Sequence, residues 1–85
     1  MLNQVILVGR IEMIDLEYQF LQIRVQKKGA EDILINCSFG DTIANSINGV
    51  LSTNDVVGIK GCLNTIENEL VVEIEKLSFL SSTSK

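Results

Sequence analysis

The sequence predicts an all-β domain with one short helix, in the order β-β-β-α-β-β. Apolar and polar residues alternate along most of the chain, a helical period occurs in a single segment, and glycine-containing turns separate the apolar runs. Eighty-five residues suffice for one domain, which we place at residues 1–80, with residues 81–85 as a short disordered polar end.

The first predicted strand, residues 2–12, is apolar on both faces. Val5, Leu7 and Ile11 occupy one face. The other face carries Leu2, Gln4, Ile6 and Val8. A strand that is apolar on both sides is covered on both sides, so one face fills a core and the other needs a partner.

The second predicted strand, residues 17–28, alternates strictly. Leu21, Ile23 and Val25 share the face that points inward. The opposite face carries Tyr18, Phe20, Gln22, Arg24, Gln26 and Lys28. The turn "KKGAED" leads to a third strand, residues 33–40, in which Asn36 has the outward parity.

The segment "DTIANSINGVLSTND" predicts a helix of about two to three turns, with Asp41 or Thr42 as its cap. Residues 55–64 and 70–80 are the last two strands, separated by the turn "TIENE". The alternation of the fifth strand slips near Lys76, which predicts a β-bulge, and Phe79 is expected in the core. This order of elements is typical of the OB-fold, a partly open five-stranded barrel.

Composition argues against catalysis and against a cofactor. The chain has no histidine, so no Ser–His or Cys–His pair can form and a zinc site would need an unusual ligand set. Cys37 and Cys62 lack metal-ligand spacing and are expected to be reduced apolar fillers. We therefore predict a protein that is not an enzyme and that holds neither metal nor cofactor.

Hydropathy and charge restrict the partners. No apolar run approaches the roughly 18 residues of a membrane span, so we expect a cytoplasmic protein without a membrane partner. The net charge is −4, and four glutamates crowd residues 67–75. An acidic protein binds a polyanion poorly unless its basic groups share a face.

Two stretches resemble bacterial single-stranded DNA-binding proteins. In "MLNQVILVGRI", the residues Asn3, Val5, Leu7, Gly9 and Arg10 fill the opening pattern of that family. The stretch "INCSFGDTIANSINGVLSTNDVVGIKGCL" is similar to the middle of the family.

The resemblance implies an OB-fold that binds single-stranded DNA without sequence preference, in replication, recombination or repair. It also implies a homodimer or homotetramer formed through the first strands, with other replication proteins as further partners. Both long hairpins of the family are cut to tight turns here. Cys62 replaces a typical arginine, and relative to the family pattern one residue is missing between Cys37 and Phe39.

Binding an unpaired strand requires aromatic surfaces for bases and cations for phosphates. The predicted site is the outward set Tyr18, Phe20, Gln22, Arg24 and Lys28, together with Asn36, Phe39, Arg10 and Lys60. An ordinary half-exposed strand or a subunit interface is the alternative for the outward set. Phe39 matches a stacking position of the family or closes the core. Arg10 and Lys60 are phosphate contacts or solvated charges.

The alternative function is an OB-fold protein-interaction module with weak or no DNA affinity, acting as a replication-restart accessory or as a paralogue of a longer single-stranded DNA-binding protein. The acidic charge, the shortened hairpins and Cys62 favour it.

Overall fold

The computed structural model describes residues 3–81, which form a closed five-stranded barrel with one short helix. The strands are β1 (Val5–Asp15), β2 (Phe20–Val25), β3 (Ile33–Ser38), β4 (Val56–Ile66) and β5 (Glu69–Ser81), and the helix α1 spans Asp41–Ile47. Neighbours follow the order β1-β2-β3-β5-β4. The pairs are antiparallel except β3 with β5, which are parallel at Cys37–Val72 and Ser38–Glu73 and close the barrel. The predicted fold class is confirmed.

The core consists of the inward-facing residues that the alternation predicts. Its most buried side chains are Ile11, Leu21, Ile23, Cys37, Val57 and Ile59. Burial raises the pKa of the Cys37 thiol to about 12, so this side chain stays protonated at neutral pH and packs as a small apolar group.

The helix contributes Ile47 to the core, where Phe39 and Leu51 also pack. Its N-cap is Gly40, and no side chain makes a capping hydrogen bond. The predicted cap at Asp41 or Thr42 is therefore wrong, because the helix already begins at Asp41 and Thr42 lies inside its first turn. Among residues 3–81 no helix has the length and apolar character that a membrane span requires.

The described part of the sheet has three register shifts, and two of them bring residues of opposite parity into the core. In β1 the register shifts between Ile11 and Met13, so Glu12 is the extra residue and Ile14 returns to the core side. In β5 the shift lies opposite Lys60 and Gly61, which confirms the bulge predicted near Lys76. It lets Ile74 and Leu77, of opposite parity, both pack inward.

Phe79 does not fulfil its expected core role. Its side chain is 45% exposed. It pairs with Val57 near the beginning of β4, next to the register shift between Val56 and Val57.

The β4–β5 hairpin extends beyond the barrel core. Residues 63–70, which we call the hairpin arm, are all exposed. Only Glu67 and Asn68 form the turn, with positive φ values of 52° and 67°, and Ile66 pairs with Glu69. A two-residue turn with two positive φ angles matches the twist of the strands that it joins. The arm is thus a regular continuation of both strands.

Gly61 is required by a close backbone approach. A Cβ atom at this position would overlap the carbonyl oxygen of Glu73 on β5. Gly58, on the same strand, faces outward, and a Cβ there would meet only Leu80 Cδ1 at 3.6 Å.

We expect Gly61→Ala to lower the free energy of unfolding by about 1–3 kcal/mol, because β4 and β5 must separate locally. Gly58→Ala, the matched control, should change it by no more than about 0.5 kcal/mol. Urea unfolding followed by far-ultraviolet circular dichroism measures both. Equal effects of the two substitutions would contradict the packing at Gly61.

Candidate nucleic-acid interface

The outward residues of β1, β2 and β3 align in three rows across the sheet. The rows are Asp15–Phe20–Ser38, Met13–Gln22–Asn36 and Arg10–Arg24–Leu34, and we call this surface the outer face. Strict alternation in β2 produces it, because Leu21 and Ile23 point into the core and force their neighbours outward.

The middle row is fixed by a hydrogen bond between strands. Gln22 Nε2 donates to Asn36 Oδ1 at 3.0 Å. Both side chains are half-buried, as expected for a polar pair in the centre of a sheet. Since Asn36 Oδ1 is engaged, its Nδ2 is the atom that remains to donate to a ligand.

Beyond the first row, the outer face continues into a cleft of about 600 Å³ between β2, β3 and the hairpin arm. Tyr18 and Phe20 form one wall, and Asn36 and Ser38 contribute polar groups. Tyr18 is 74% exposed and Phe20 is half-buried, so both side chains are accessible to a planar ligand.

Tyr18 lies in the turn before β2 and not on the strand where the sequence predicts it. The reason is local. Gln19 adopts a positive φ of 56°, which interrupts the extended backbone, and the Tyr18 N–H donates to Asp15 Oδ1 at 2.9 Å. The tyrosine nevertheless lines the same cleft as Phe20.

The hairpin arm supplies an acidic wall opposite the aromatic residues. Ile66, Glu67, Glu69 and Val71 line this side of the cleft. Among the described residues that line the cleft, none is lysine or arginine. A base can stack there, but a phosphate would meet uncompensated negative charge.

Arg24 lies on the outer face as predicted, but its charge is balanced within the protein. Its Nη1 lies 2.8 Å from Glu12 Oε1 and its Nε lies 3.5 Å from Asp32 Oδ2. Its Nη2 donates to Asn54 Oδ1 at 3.5 Å. The guanidinium thus connects β2 to the bulge of β1 and to two loops, which limits its availability to a phosphate.

Arg10 stands beside Arg24 and carries no carboxylate partner among the described residues. Its Nη1 donates to the Asn54 carbonyl oxygen at 2.9 Å, and the side chain is exposed. Among the predicted phosphate contacts on the outer face it is therefore the most available.

Three predicted site residues do not join the outer face. Phe39 is only 6% exposed and packs in the core, so its core alternative holds and the ring offers no stacking surface. Lys28 lies past the end of β2, in the exposed β2–β3 loop, because the strand stops at Val25. Lys60 is exposed on the outside of β4, where it faces Ile6 and Lys76 instead.

A second surface carries the residues predicted for self-association. Ile6 is 74% exposed and Val8 55% exposed, and Leu80 of β5 lines the same groove. We call Ile6, Val8 and Leu80 the apolar face; Lys60 and Lys76 flank it. Gln4 is exposed beside it, and Leu2 lies outside the described residues.

Sequence reasoning missed Met13, Leu34 and Ser38 on the outer face. Ser38 and Leu34 have the same parity as Asn36 and could have been included. Met13 shares the parity of the buried Ile11, and only the bulge at Glu12 turns it outward, opposite Gln22. A bulge of this kind leaves no clear pattern in β1, since both of its faces are apolar.

Cys62 takes the position of the family's arginine on the outer side of β4, opposite Glu73. Partial burial and the nearby charges of Glu73 and Glu75 raise the pKa of its thiol. The side chain is therefore neutral at physiological pH, and this position contributes no cation.

The fold is shared with single-stranded DNA-binding proteins of known structure. The structure superposes with a TM-score of 0.82 on that of Thermus aquaticus, a deletion mutant, at 22% identity, covering 99% of this chain and 43% of that chain. The mitochondrial single-stranded DNA-binding protein Rim1 of S. cerevisiae gives 0.80 at 16% identity, covering 96% and 97%. The dimeric N-terminal domain of PriB from Thermoanaerobacter tencongensis gives 0.72 at 18% identity, covering 94% and 98%.

No family model matches the sequence, and no curated protein sequence matches it. The structural similarities show that this chain has the OB-fold of single-stranded DNA-binding proteins. The resemblance seen in "MLNQVILVGRI" is thus confirmed at the level of the fold.

The burial of Phe39 and the partial exposure of Phe20 predict different losses of stability on substitution. Phe39→Ala should lower the free energy of unfolding by about 3–5 kcal/mol, because it opens a cavity in the core. Phe20→Ala removes a half-buried ring on the surface and should lower the free energy of unfolding by about 1–2 kcal/mol. Chemical denaturation of both variants gives the values. Comparable losses would contradict the assignment of Phe39 to the core and Phe20 to the surface.

Proposed function

We propose that this protein binds single-stranded DNA by stacking bases on the outer face and in the adjoining cleft. The observation that carries the proposal is the pair of accessible aromatic side chains, Tyr18 and Phe20, beside an amide row and a cation on one face of an OB barrel. That arrangement supplies the two things that an unpaired strand needs, a stacking platform and a phosphate contact.

The charge distribution gives the two ends of the outer face different preferences for the parts of a DNA strand. Arg10 and Arg24 stand at one end of the outer face, and Glu67 and Glu69 stand at the other. Phosphates are favoured near the arginines, and bases are favoured near the aromatic residues. Stacking on aromatic rings requires no particular sequence, since every base has two π-faces.

Affinity for one barrel should be low. A stacked base contributes about 1–3 kcal/mol to binding. Each phosphate contact to a single strand adds about −0.7 to the slope of the logarithm of the binding constant against the logarithm of the salt concentration. With few stacking residues and Arg24 largely neutralised, we propose that several subunits bind along one strand and gain affinity through effective concentration.

We propose that the apolar face forms the subunit contact. It exposes Ile6 and Val8 on β1 and Leu80 on β5, the two strands that flank β4, which is unfavourable for an isolated soluble domain. The PriB domain of the same fold is dimeric, which supports self-association. Roles in DNA replication, recombination or repair would follow from this activity.

An OB-fold protein-interaction module is the second candidate. The acidic wall of the cleft, the internal pairing of Arg24 and the net charge of −4 favour it. The two candidates differ in one measurable property, because only the first binds single-stranded DNA at low salt.

Binding is measured by fluorescence anisotropy with labelled single-stranded and duplex oligonucleotides over a range of salt concentrations. The wild-type protein should bind the single strand in preference to the duplex, with affinity falling as salt rises. Tyr18→Ala and Phe20→Ala should each weaken binding about fivefold or more, because each removes a stacking surface.

Phe79→Ala is the matched control, since it removes an exposed ring that lies on neither the outer face nor the cleft. It should leave the affinity unchanged. If the wild-type protein binds no single-stranded DNA at low salt, the proposal is wrong and the interaction module is favoured.

Self-association is measured by sedimentation equilibrium. Ile6→Asp combined with Val8→Asp should convert an oligomer into a monomer, because it places two charges in a desolvated contact. Leu34→Asp, an exposed apolar position on the outer face, is the control and should keep the assembly intact. A monomeric wild-type protein at high micromolar concentration would contradict the subunit contact.

A further inference from the structure

A groove at the basic end of the outer face is lined by three side chains that donate hydrogen bonds. It has a volume of about 240 Å³ and lies between β1, β2 and the beginning of β4, and its polar lining comes from Arg10, Arg24 and Gln26. Guanidinium and amide N–H groups are suitable donors to a phosphate oxygen. The groove therefore has the donor chemistry of a phosphate site.

The two arginines of the groove differ in their charge environment. Arg10 has no carboxylate partner among residues 3–81, and its Nη1 donates to the Asn54 carbonyl oxygen at 2.9 Å. The guanidinium of Arg24 contacts two carboxylates, because Nη1 lies 2.8 Å from Glu12 Oε1 and Nε lies 3.5 Å from Asp32 Oδ2. Two negative charges thus offset one positive charge of the groove.

The two acids come from separate parts of the chain, and neither of them lines the groove. Glu12 is the extra residue of the bulge in β1, and Asp32 ends the loop before β3. Their side chains are 39% and 41% exposed. Ion pairs in contact with solvent contribute little to stability, so the barrel should fold without these two charges.

A DNA phosphate and the two carboxylates are alternative anionic partners for the same guanidinium. A phosphate that approaches Arg24 either displaces a carboxylate or is repelled by it. A strand in the groove therefore gains the contact with Arg10 and little from Arg24. Without the acids, Arg24 still has a neighbour that holds it near the groove, since its Nη2 donates to Asn54 Oδ1 at 3.5 Å.

We infer that Glu12 and Asp32 form an autoinhibitory contact: they lower the affinity for single-stranded DNA by neutralising Arg24 beside the phosphate groove. The inference rests on the proposed binding of single-stranded DNA and adds to it the residues that limit its strength. Removing the two negative charges should increase the affinity, although neither acid lies on the stacking surface.

The test combines Glu12→Gln with Asp32→Asn. Both amides keep an oxygen that accepts from the guanidinium, so the substitutions remove charge and preserve the contact geometry. The double variant should bind labelled oligodeoxythymidine roughly five- to tenfold more tightly at low salt, with a salt slope steeper by about 0.7, because one phosphate contact is added. Glu12→Gln alone should give a smaller change in the same direction. Fluorescence anisotropy over a range of salt concentrations measures both quantities.

Two further variants separate the local contact from the general effect of charge. Glu31→Gln with Glu75→Gln removes the same two charges at exposed positions that pair with no arginine among the described residues. This matched control should leave the salt slope unchanged. Arg24→Gln, added to the Glu12/Asp32 variant, should return the slope to that of the wild-type protein. Circular dichroism confirms that each variant is folded.

The outcomes distinguish failure of the inference from failure of the proposed function. Unchanged or weaker binding by the Glu12/Asp32 variant, an equal change of slope in the control, or a gain that persists with Arg24→Gln overturns the autoinhibitory contact and leaves DNA binding intact. Binding by the Glu12/Asp32 variant alone, with none by the wild-type protein, overturns the proposed function and supports inhibition by the two acids. Absence of binding by both proteins overturns both proposals.

Discussion

The barrel depends on a single strand, β1, that pairs with two neighbours in succession. Its first half pairs with β4 through residues 5–10, and its second half pairs with β2 through residues 10–15. At the crossing point Gly9 approaches the Arg24 backbone so closely that a Cβ atom would lie 2.7 Å from the carbonyl oxygen. The loop before β4 is hydrogen-bonded to β1 next to this crossing point. The Ile11 N–H donates to the Asp55 carbonyl oxygen at 2.9 Å, and the Ile11 carbonyl oxygen accepts from the Asn54 N–H at 2.8 Å.

The bend in β1 also organises the charged end of the outer face. The bulge places Glu12 within 2.8 Å of Arg24, and Asn54 accepts hydrogen bonds from both Arg10 and Arg24. The bulge of β1 and the loop before β4 therefore hold two like-charged side chains next to each other. Their repulsion is reduced by Glu12 and Asp32, at the expense of the positive potential that a polyanion would meet.

The opposite end of the outer face has the reverse character. There the hairpin arm brings carboxylates to the cleft beside Tyr18 and Phe20. An acidic protein can thus offer a nucleic acid one region suited to phosphates and another suited to bases, although its net charge is unfavourable for long-range attraction. The apolar face uses residues of β1 and β5 that lie outside the outer face and the cleft, so the proposed subunit contact and the proposed strand binding use different residues.

The sequence by itself determined the order of elements, the inward residues and the surface on which Phe20, Gln22, Arg24 and Asn36 lie, because alternation in a strand fixes which side chains point outward. The bulge in β5 could be predicted as well, since a slip in an otherwise regular alternation is visible in the residues Ile74 and Leu77. The exposure of Ile6 and Val8 followed from a strand that is apolar on both faces.

Only the tertiary structure decided which of these residues meet. Phe39 is buried because the core closes over it, and Lys60 lies beside the apolar face because β4 pairs with the first half of β1. Met13 turns outward through a bulge that a two-sided apolar strand conceals, and Arg24 is neutralised by acids distant in sequence. The cleft likewise exists only because a hairpin far along the chain extends past the barrel, and long-range pairings of this kind leave no local pattern.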